Sequence, residues 1–179
     1  MLPFYTIGHS TRTIEAFVQL LRVADVSCLV DIRSIPRSRT NPQYNQDVLP
    51  ATLAAFEITY AHISRLGGRR NKSKTIANDI NGFWQNRSFQ NYADYALTPD
   101  FRAGLDELIL LGRAQRCAIM CSEAVWWRCH RRIVADHLLA RGEKVFHLMN
   151  EDKIELATFT KGAVVQNGVV SYPIDGFLD

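Results

Sequence analysis

At 179 residues, with 47% hydrophobic and 22% charged residues, the chain has the composition of one globular domain able to bury its own core. A net charge of +3 decides nothing about a polyanionic partner, and no apolar stretch nears the roughly 20 residues of a membrane helix. The N-terminal MLPFYTIGHS lacks the pattern of a signal peptide, and cysteines 28, 117, 121 and 129 lie in or beside apolar runs, away from disulfide-scaffold spacings. A cytoplasmic protein with reduced thiols and no membrane partner is expected.

The first element is the apolar run PFYTIG, residues 3–8, ending at Gly8-His9-Ser10. Apolar positions 14, 17, 18 and 21 then repeat at helical spacing, which predicts a helix from 13 to 23 with Thr11 or Thr13 as its cap. SCLVDI, 27–32, reads as a fully buried strand, and the prolines and asparagines of RSIPRSRTNPQYN make a loop. A helix over about 47–57 and the short strand TYAHI follow.

Residues 64–87 form a polar segment longer than ordinary connections, a length that marks function or mobility. Helices are expected over 88–98 and 99–112, a buried strand over 116–121, a helix over 123–141 closed by Gly142, and a strand over 144–149. Asn167-Gly168 between valines predicts a hairpin in the tail. Continuously apolar strands alternating with helices indicate an α/β fold. We expect a three-layer sandwich with a mostly parallel sheet of about five strands, plus a C-terminal β-hairpin. The whole of 1–179 reads as one domain, with 151–179 as the hairpin extension.

Charge is unevenly spread. No acid lies between Asp31 and Asp47, where Arg33, Arg37 and Arg39 sit. None lies between Glu57 and Asp79, which enclose Arg65, Arg69, Arg70, Lys72 and Lys74. Two basic loops in a nearly neutral chain suggest a local anionic ligand, although the second reads equally well as solvated surface.

Ligands of parallel α/β sheets bind beyond the strands' carboxyl ends. Gly8-His9-Ser10, Asp31-Ile32-Arg33, His62 with Leu66-Gly67-Gly68, and Cys121-Ser122-Glu123 each follow a strand, so polar groups are expected to gather at one end. Asp31 is either structural or an acid–base group, and Arg33 beside it would hold a phosphate or carboxylate. His9 and Ser10 are either packed or part of an anion site at a helix start, with Gly8 allowing a positive φ or a close ligand.

Cys121 is expected at a strand-to-helix junction, with Ser122 as cap and a thiol made nucleophilic by the helix terminus and nearby arginines. Phosphatases of phosphotyrosine and rhodaneses place their cysteine similarly. Here six residues, not five, separate Cys121 from Arg128, and the intervening SEAVWW has no glycine, so an inert core thiol stays open. Glu123 in the first helical turn is the better acid–base candidate, with or without Asp31. On that helix Trp126, Cys129 and Ile133 would pack inward and Arg128 and Arg132 would form an outer ridge. His130 and Arg131 would bind an anion or hold Glu123 or Asp31. The spacing of Cys117, Cys121, Cys129 and His130 does not suit a zinc site, so no metal is expected.

The set Gly8-His9-Ser10, Asp31-x-Arg33-x-x-Pro36-x-Ser38-x-x-Asn41, Tyr60 with Leu66-Gly67-Gly68, and Cys121-x-Glu123 with Cys129-His130-Arg131 resembles the domain-of-unknown-function 488 family over about residues 4–149. Glu57 stands where that pattern has a glycine. The resemblance implies a small cytosolic α/β protein and marks these positions as signature residues. It implies no reaction beyond a loose association with DNA repair.

The expected function is an enzyme acting on a phosphate-bearing substrate such as a nucleotide or nucleic acid. Asp31, Cys121 and Glu123 would be catalytic, and His9, Ser10, Arg33, Arg37, Arg39, His130 and Arg131 would bind substrate. The alternatives are a nucleic-acid-binding module, with Phe83, Trp84 and Tyr92 stacking on bases, and a protein-interaction role. Cofactor and oligomeric state stay open.

Overall fold

The computed structural model describes residues 1–174. Five parallel strands form most of one sheet: β1 (Phe4–Gly8), β2 (Cys28–Asp31), β3 (Thr59–His62), β4 (Cys117–Cys121) and β5 (Val145–Asn150). A sixth, β6 (Lys153–Leu156), pairs antiparallel with β5 at the edge, giving the order β3-β2-β4-β1-β5-β6. Strands β7 (Val164–Gln166) and β8 (Val169–Ser171) make a two-stranded hairpin across Asn167 and Gly168, both at positive φ. That is the turn geometry the Asn-Gly pair predicts. Residues 175–179 of the expected 151–179 extension lie outside the described residues.

Alternation along the strands builds the expected three layers. Phe4, Cys28, Val30, Cys117 and Ile119 face one core, with helices α3 (Arg87–Tyr95), α4 (Pro99–Ala114) and α5 (Arg131–Ala140). Tyr5, Ile7, Leu29, Ala118 and Met120 face the other, with α1 (Ile14–Val23) and α2 (Leu49–Ala54). Thr13 caps α1, its hydroxyl accepting from the Ala16 amide at 3.2 Å. Phe17, Val18, Leu20 and Leu21 of α1 are buried, each burial worth about 1.5–3 kcal/mol. The hairpin is tied to α5 by the Tyr172 hydroxyl, which donates to Asp136 Oδ2 at 2.7 Å.

Two expectations change. Strand β6 is unexpected: its four residues, Lys153-Ile154-Glu155-Leu156, alternate polar and apolar too briefly to mark a strand, and Ile154 and Leu156 are both exposed on the edge. The helix expected over 123–141 begins only at Arg131. Residues 122–130 form a loop with one 3-10 turn at Trp126–Arg128, flanked by extended backbone at Val125 and Cys129. Its apolar residues point to different neighbours: Trp126 stacks on His147 at 4.3 Å, Trp127 is exposed, and Cys129 turns inward. Helical spacing without a common packing surface does not make a helix.

Candidate functional site

Strand β4 lies between β1 and β2, so its carboxyl end rises between the loops that follow them. The three loops are stitched together by backbone bonds. The His9 amide donates to the Cys121 carbonyl (2.9 Å), Ser10 N–H to the Ser122 carbonyl (3.0 Å) and Ile32 N–H to the Met120 carbonyl (3.0 Å). Above them opens a cavity of about 760 Å³. His9, Ser10, Arg33, Arg37, Cys121, Glu123 and His130 line it, seven of the residues expected there.

Gly8 fits because the Glu123 carbonyl oxygen would stand 1.9 Å from any Cβ placed there. The close approach is thus from the chain itself. The positive φ in this turn falls on Ser10, at 48°. Since α1 starts at Ile14, neither His9 nor Ser10 occupies a helix terminus.

Asp31, expected to move protons, does not line the cavity. It is fully buried, and its carboxylate binds the Arg33 guanidinium through Nε (2.9 Å to Oδ1) and Nη2 (2.6 Å to Oδ2). The Tyr60 hydroxyl donates to Oδ2 at 2.8 Å. Asp31 therefore aims Arg33. Nη2 also donates to the Tyr44 carbonyl (2.7 Å), and the remaining nitrogen, Nη1, reaches His9 Nε2 (3.3 Å). His9 donates from Nδ1 to the Ser10 carbonyl at 2.8 Å, so Nε2 accepts from the arginine. Burial, and then the Arg33 charge, lower the His9 pKa to about 4, against an opposing backbone hydrogen bond. The ring is neutral and stacks on Tyr44 at 4.2 Å.

The loss of the expected helix moves the thiol argument from Cys121 to Cys129. The helix actually begins at Arg131, so Cys129 and not Cys121 stands just before a helix N-terminus. Three nitrogens surround Cys129 Sγ: the Arg131 amide (3.4 Å), Arg131 Nε (3.4 Å) and His130 Nδ1 (3.5 Å). His130 Nε2 donates to the Ile32 carbonyl at 2.9 Å, which fixes the ring with Nδ1 toward the sulfur. Gly68 leaves room for that ring, since a Cβ there would lie 2.5 Å from Nδ1.

Burial opposes a charge on Cys129, but the Cys121 hydrogen bond and the His130 and Arg131 charges outweigh it and bring its pKa well below the usual thiol value. Burial and the hydrogen bond to Cys129 push the Cys121 thiol well up. Cys121 keeps its proton, which faces the Glu123 carbonyl 3.8 Å away and the Cys129 sulfur. Cys129, expected as core packing, is the residue that sequence reasoning missed. Its signal was the following His130-Arg131.

Arg131, expected to bind substrate, is 1% exposed and sits behind the cavity. It donates from Nη2 to the Glu123 carbonyl at 2.6 Å and from Nε to Cys129. Glu123 lines the cavity as an exposed loop residue, not as part of a helical turn. Arg39 is exposed and does not line it. Arg69 and Arg128 do, although Arg128 was expected on an outer helical ridge. Arg132 instead lies over the Trp84 ring at 5.1 Å and donates to Thr160. In the second basic loop Arg70 is pinned over Tyr95 at 3.6 Å. Trp84 and Tyr92, expected to stack on bases, are buried in the core.

Among the described residues no three His, Cys, Asp or Glu side chains come together as a metal-binding group. No helix among them is long and apolar enough to cross a membrane. A family model described as a domain of unknown function, DUF488, matches residues 13–138. No curated protein and no solved structure matches the chain.

Proposed function

The chain belongs to the DUF488 family, a domain of unknown function, and on that premise we propose that it is an enzyme acting on a phosphate-bearing substrate such as a nucleotide. The observation that carries this reading is Cys129, which lines the cavity together with Arg33, Arg37, Arg69 and Arg128 and has its sulfur 3.4 Å from Arg131 Nε. A thiolate is the nucleophilic form of cysteine, and several guanidinium groups around a polar cavity suit a phosphoryl group.

In this reading Arg33, aimed by Asp31, and the exposed Arg37, Arg69 and Arg128 hold the phosphoryl oxygens. Cys129 attacks phosphorus, forming an S–P bond as the P–O bond to the leaving group breaks. Glu123 delivers a proton to the departing oxygen. Water then attacks phosphorus, Glu123 takes its proton, and inorganic phosphate leaves with the thiolate restored. Arg131 and His130 are positioning residues that keep the sulfur charged.

Inorganic phosphate release from p-nitrophenyl phosphate and from a panel of nucleoside mono-, di- and triphosphates tests this. The expected result is release from at least one of them. Cys129→Ser removes it, and Glu123→Gln lowers it by about 100-fold or more. The reading fails if the wild-type protein releases phosphate from none, or if Cys129→Ser retains full release.

A further inference from the structure

The phosphoryl chemistry has no use for Cys121, yet this thiol lines the same cavity as Cys129. The loop 122–128 folds back so that two cysteines eight positions apart in sequence line one cavity, each influencing the other's acidity. A bridge holds them. Cys121 Sγ faces the Glu123 carbonyl at 3.8 Å, Arg131 Nη2 donates to that same oxygen at 2.6 Å, and Arg131 Nε reaches Cys129 Sγ at 3.4 Å.

The two sulfurs are also unlike each other. Cys129 accepts from two Arg131 N–H groups, which stabilise a negative charge there, whereas Cys121 donates its S–H to a carbonyl oxygen. One thiolate beside one protonated thiol is the arrangement in which the first attacks an oxidant and the second displaces what it leaves. Both are nearly covered, Cys121 at 3% and Cys129 at 5% exposure, which favours a small, compact oxidant over a bulky disulfide.

We propose that Cys129 and Cys121 form a hydroperoxide-reactive dithiol site, Cys129 being oxidised first and Cys121 closing a reversible disulfide. The proposal rests on the reading of Cys129 as a thiolate. Cys129 attacks the terminal oxygen of the hydroperoxide; an S–O bond forms, the O–O bond breaks, and the departing oxygen takes a proton from solvent and leaves as an alcohol or water. Cys129 is then a sulfenic acid. The Cys121 sulfur attacks it, an S–S bond forms and the S–O bond breaks, and water leaves carrying the Cys121 proton. The sum is two thiols and one hydroperoxide giving a disulfide, water and an alcohol or second water. A dithiol reductant returns both cysteines to thiols. The disulfide removes the Cys129 nucleophile, so oxidation stops any thiolate-dependent turnover in the cavity and reduction restores it.

The remaining cysteines supply an internal control. Cys28 and Cys117 are register partners on adjacent strands and also touch, but both are buried away from the cavity. Peroxide entering from the cavity meets the Cys121 and Cys129 pair and not Cys28 or Cys117.

The full chain, reduced and then treated with hydrogen peroxide, is digested under alkylating conditions and its cysteine peptides are mapped by mass. The expected product is a Cys121–Cys129 link, reversed by dithiothreitol, with Cys28 and Cys117 left as thiols. In Cys121→Ser the sulfenic acid persists and is captured at Cys129 by dimedone. A Cys28–Cys117 link, sulfinic acid at Cys129 without a link, or no modification overturns the proposal. Should Cys121→Ser not fold, the wild-type map decides. Alkylation of the unoxidised protein by iodoacetamide at about pH 6 separates the two readings. Rapid labelling of Cys129 without a peroxide-driven link defeats the dithiol and leaves the nucleophile standing. Absence of labelling defeats both.

Discussion

Arg131 holds its guanidinium against the Cys129 sulfur, Nε to Sγ at 3.4 Å, and is 1% exposed. Among the described residues it forms no ion pair with a carboxylate. A buried charge without a counter-charge costs several kcal/mol, and in the proposed reading the Cys129 thiolate supplies that counter-charge while the arginine holds the thiolate. Arg131→Met should therefore weaken the hold on a Cys129 thiolate while leaving the Cys121 and His130 contributions in place. The midpoint of its iodoacetamide alkylation should rise toward the ordinary thiol value of about 8.5. A midpoint unchanged from wild type would show that Arg131 does not set the charge.

Gly68 tests the histidine side of the same sulfur. An added Cβ would lie 2.5 Å from His130 Nδ1, and that ring is held by its bond to the Ile32 carbonyl. Gly68→Ala should push the imidazole off Cys129 and slow alkylation of the sulfur by roughly tenfold, about 1.4 kcal/mol. The far-UV circular dichroism should stay that of wild type. Equal alkylation rates would mean the ring is not needed.

Asp31 and Tyr60 separate an ion pair from a hydrogen bond. Asp31→Asn leaves Arg33 buried without its carboxylate, a loss of about 3–5 kcal/mol in unfolding free energy. Tyr60→Phe removes only the hydroxyl at 2.8 Å from Oδ2, costing about 0.5–1.5 kcal/mol. Urea denaturation of the two variants should rank them in that order; the reverse order would contradict the role of Asp31 as the anchor of Arg33.

Three buried histidines set the acid limit of the fold. His9, His137 and His147 are each lowered by burial from 6.5 to about 4. The unfolded chain thus takes up protons that the folded one refuses between those values. Stability from these groups is complete above about pH 6.5 and falls as pH drops toward about pH 4. The denaturation midpoint should decline markedly from neutral pH to about pH 5. His137→Leu should flatten that decline, because His137 Nε2 has no hydrogen-bond partner to lose. An equally steep decline in the variant would rule out His137 as a contributor.

Local patterns carried much of the architecture. Apolar runs marked each parallel strand, Thr11 or Thr13 marked the start of α1, where Thr13 is the cap, and Asn167-Gly168 marked the hairpin turn. They missed β6, whose alternation in Lys153-Ile154-Glu155-Leu156 spans only four residues on an exposed edge. They also made a helix of 123–130, because Trp126, Cys129 and Ile133 repeat at helical spacing while packing against different partners.

The amino-acid sequence by itself determined that polar residues follow the strands and hence share one end of a parallel sheet, since strand direction alone fixes that end. Strand order was decided in three dimensions. By inserting β4 between β1 and β2, the fold sets the Cys121 loop beside His9 and Arg33. Only tertiary contacts also decided which thiol has its pKa lowered and which has it raised. Thiol acidity depends on groups within a few ångströms, and Arg131 directs two N–H donors to Cys129 with His130 Nδ1 beside it, leaving the Glu123 carbonyl to Cys121.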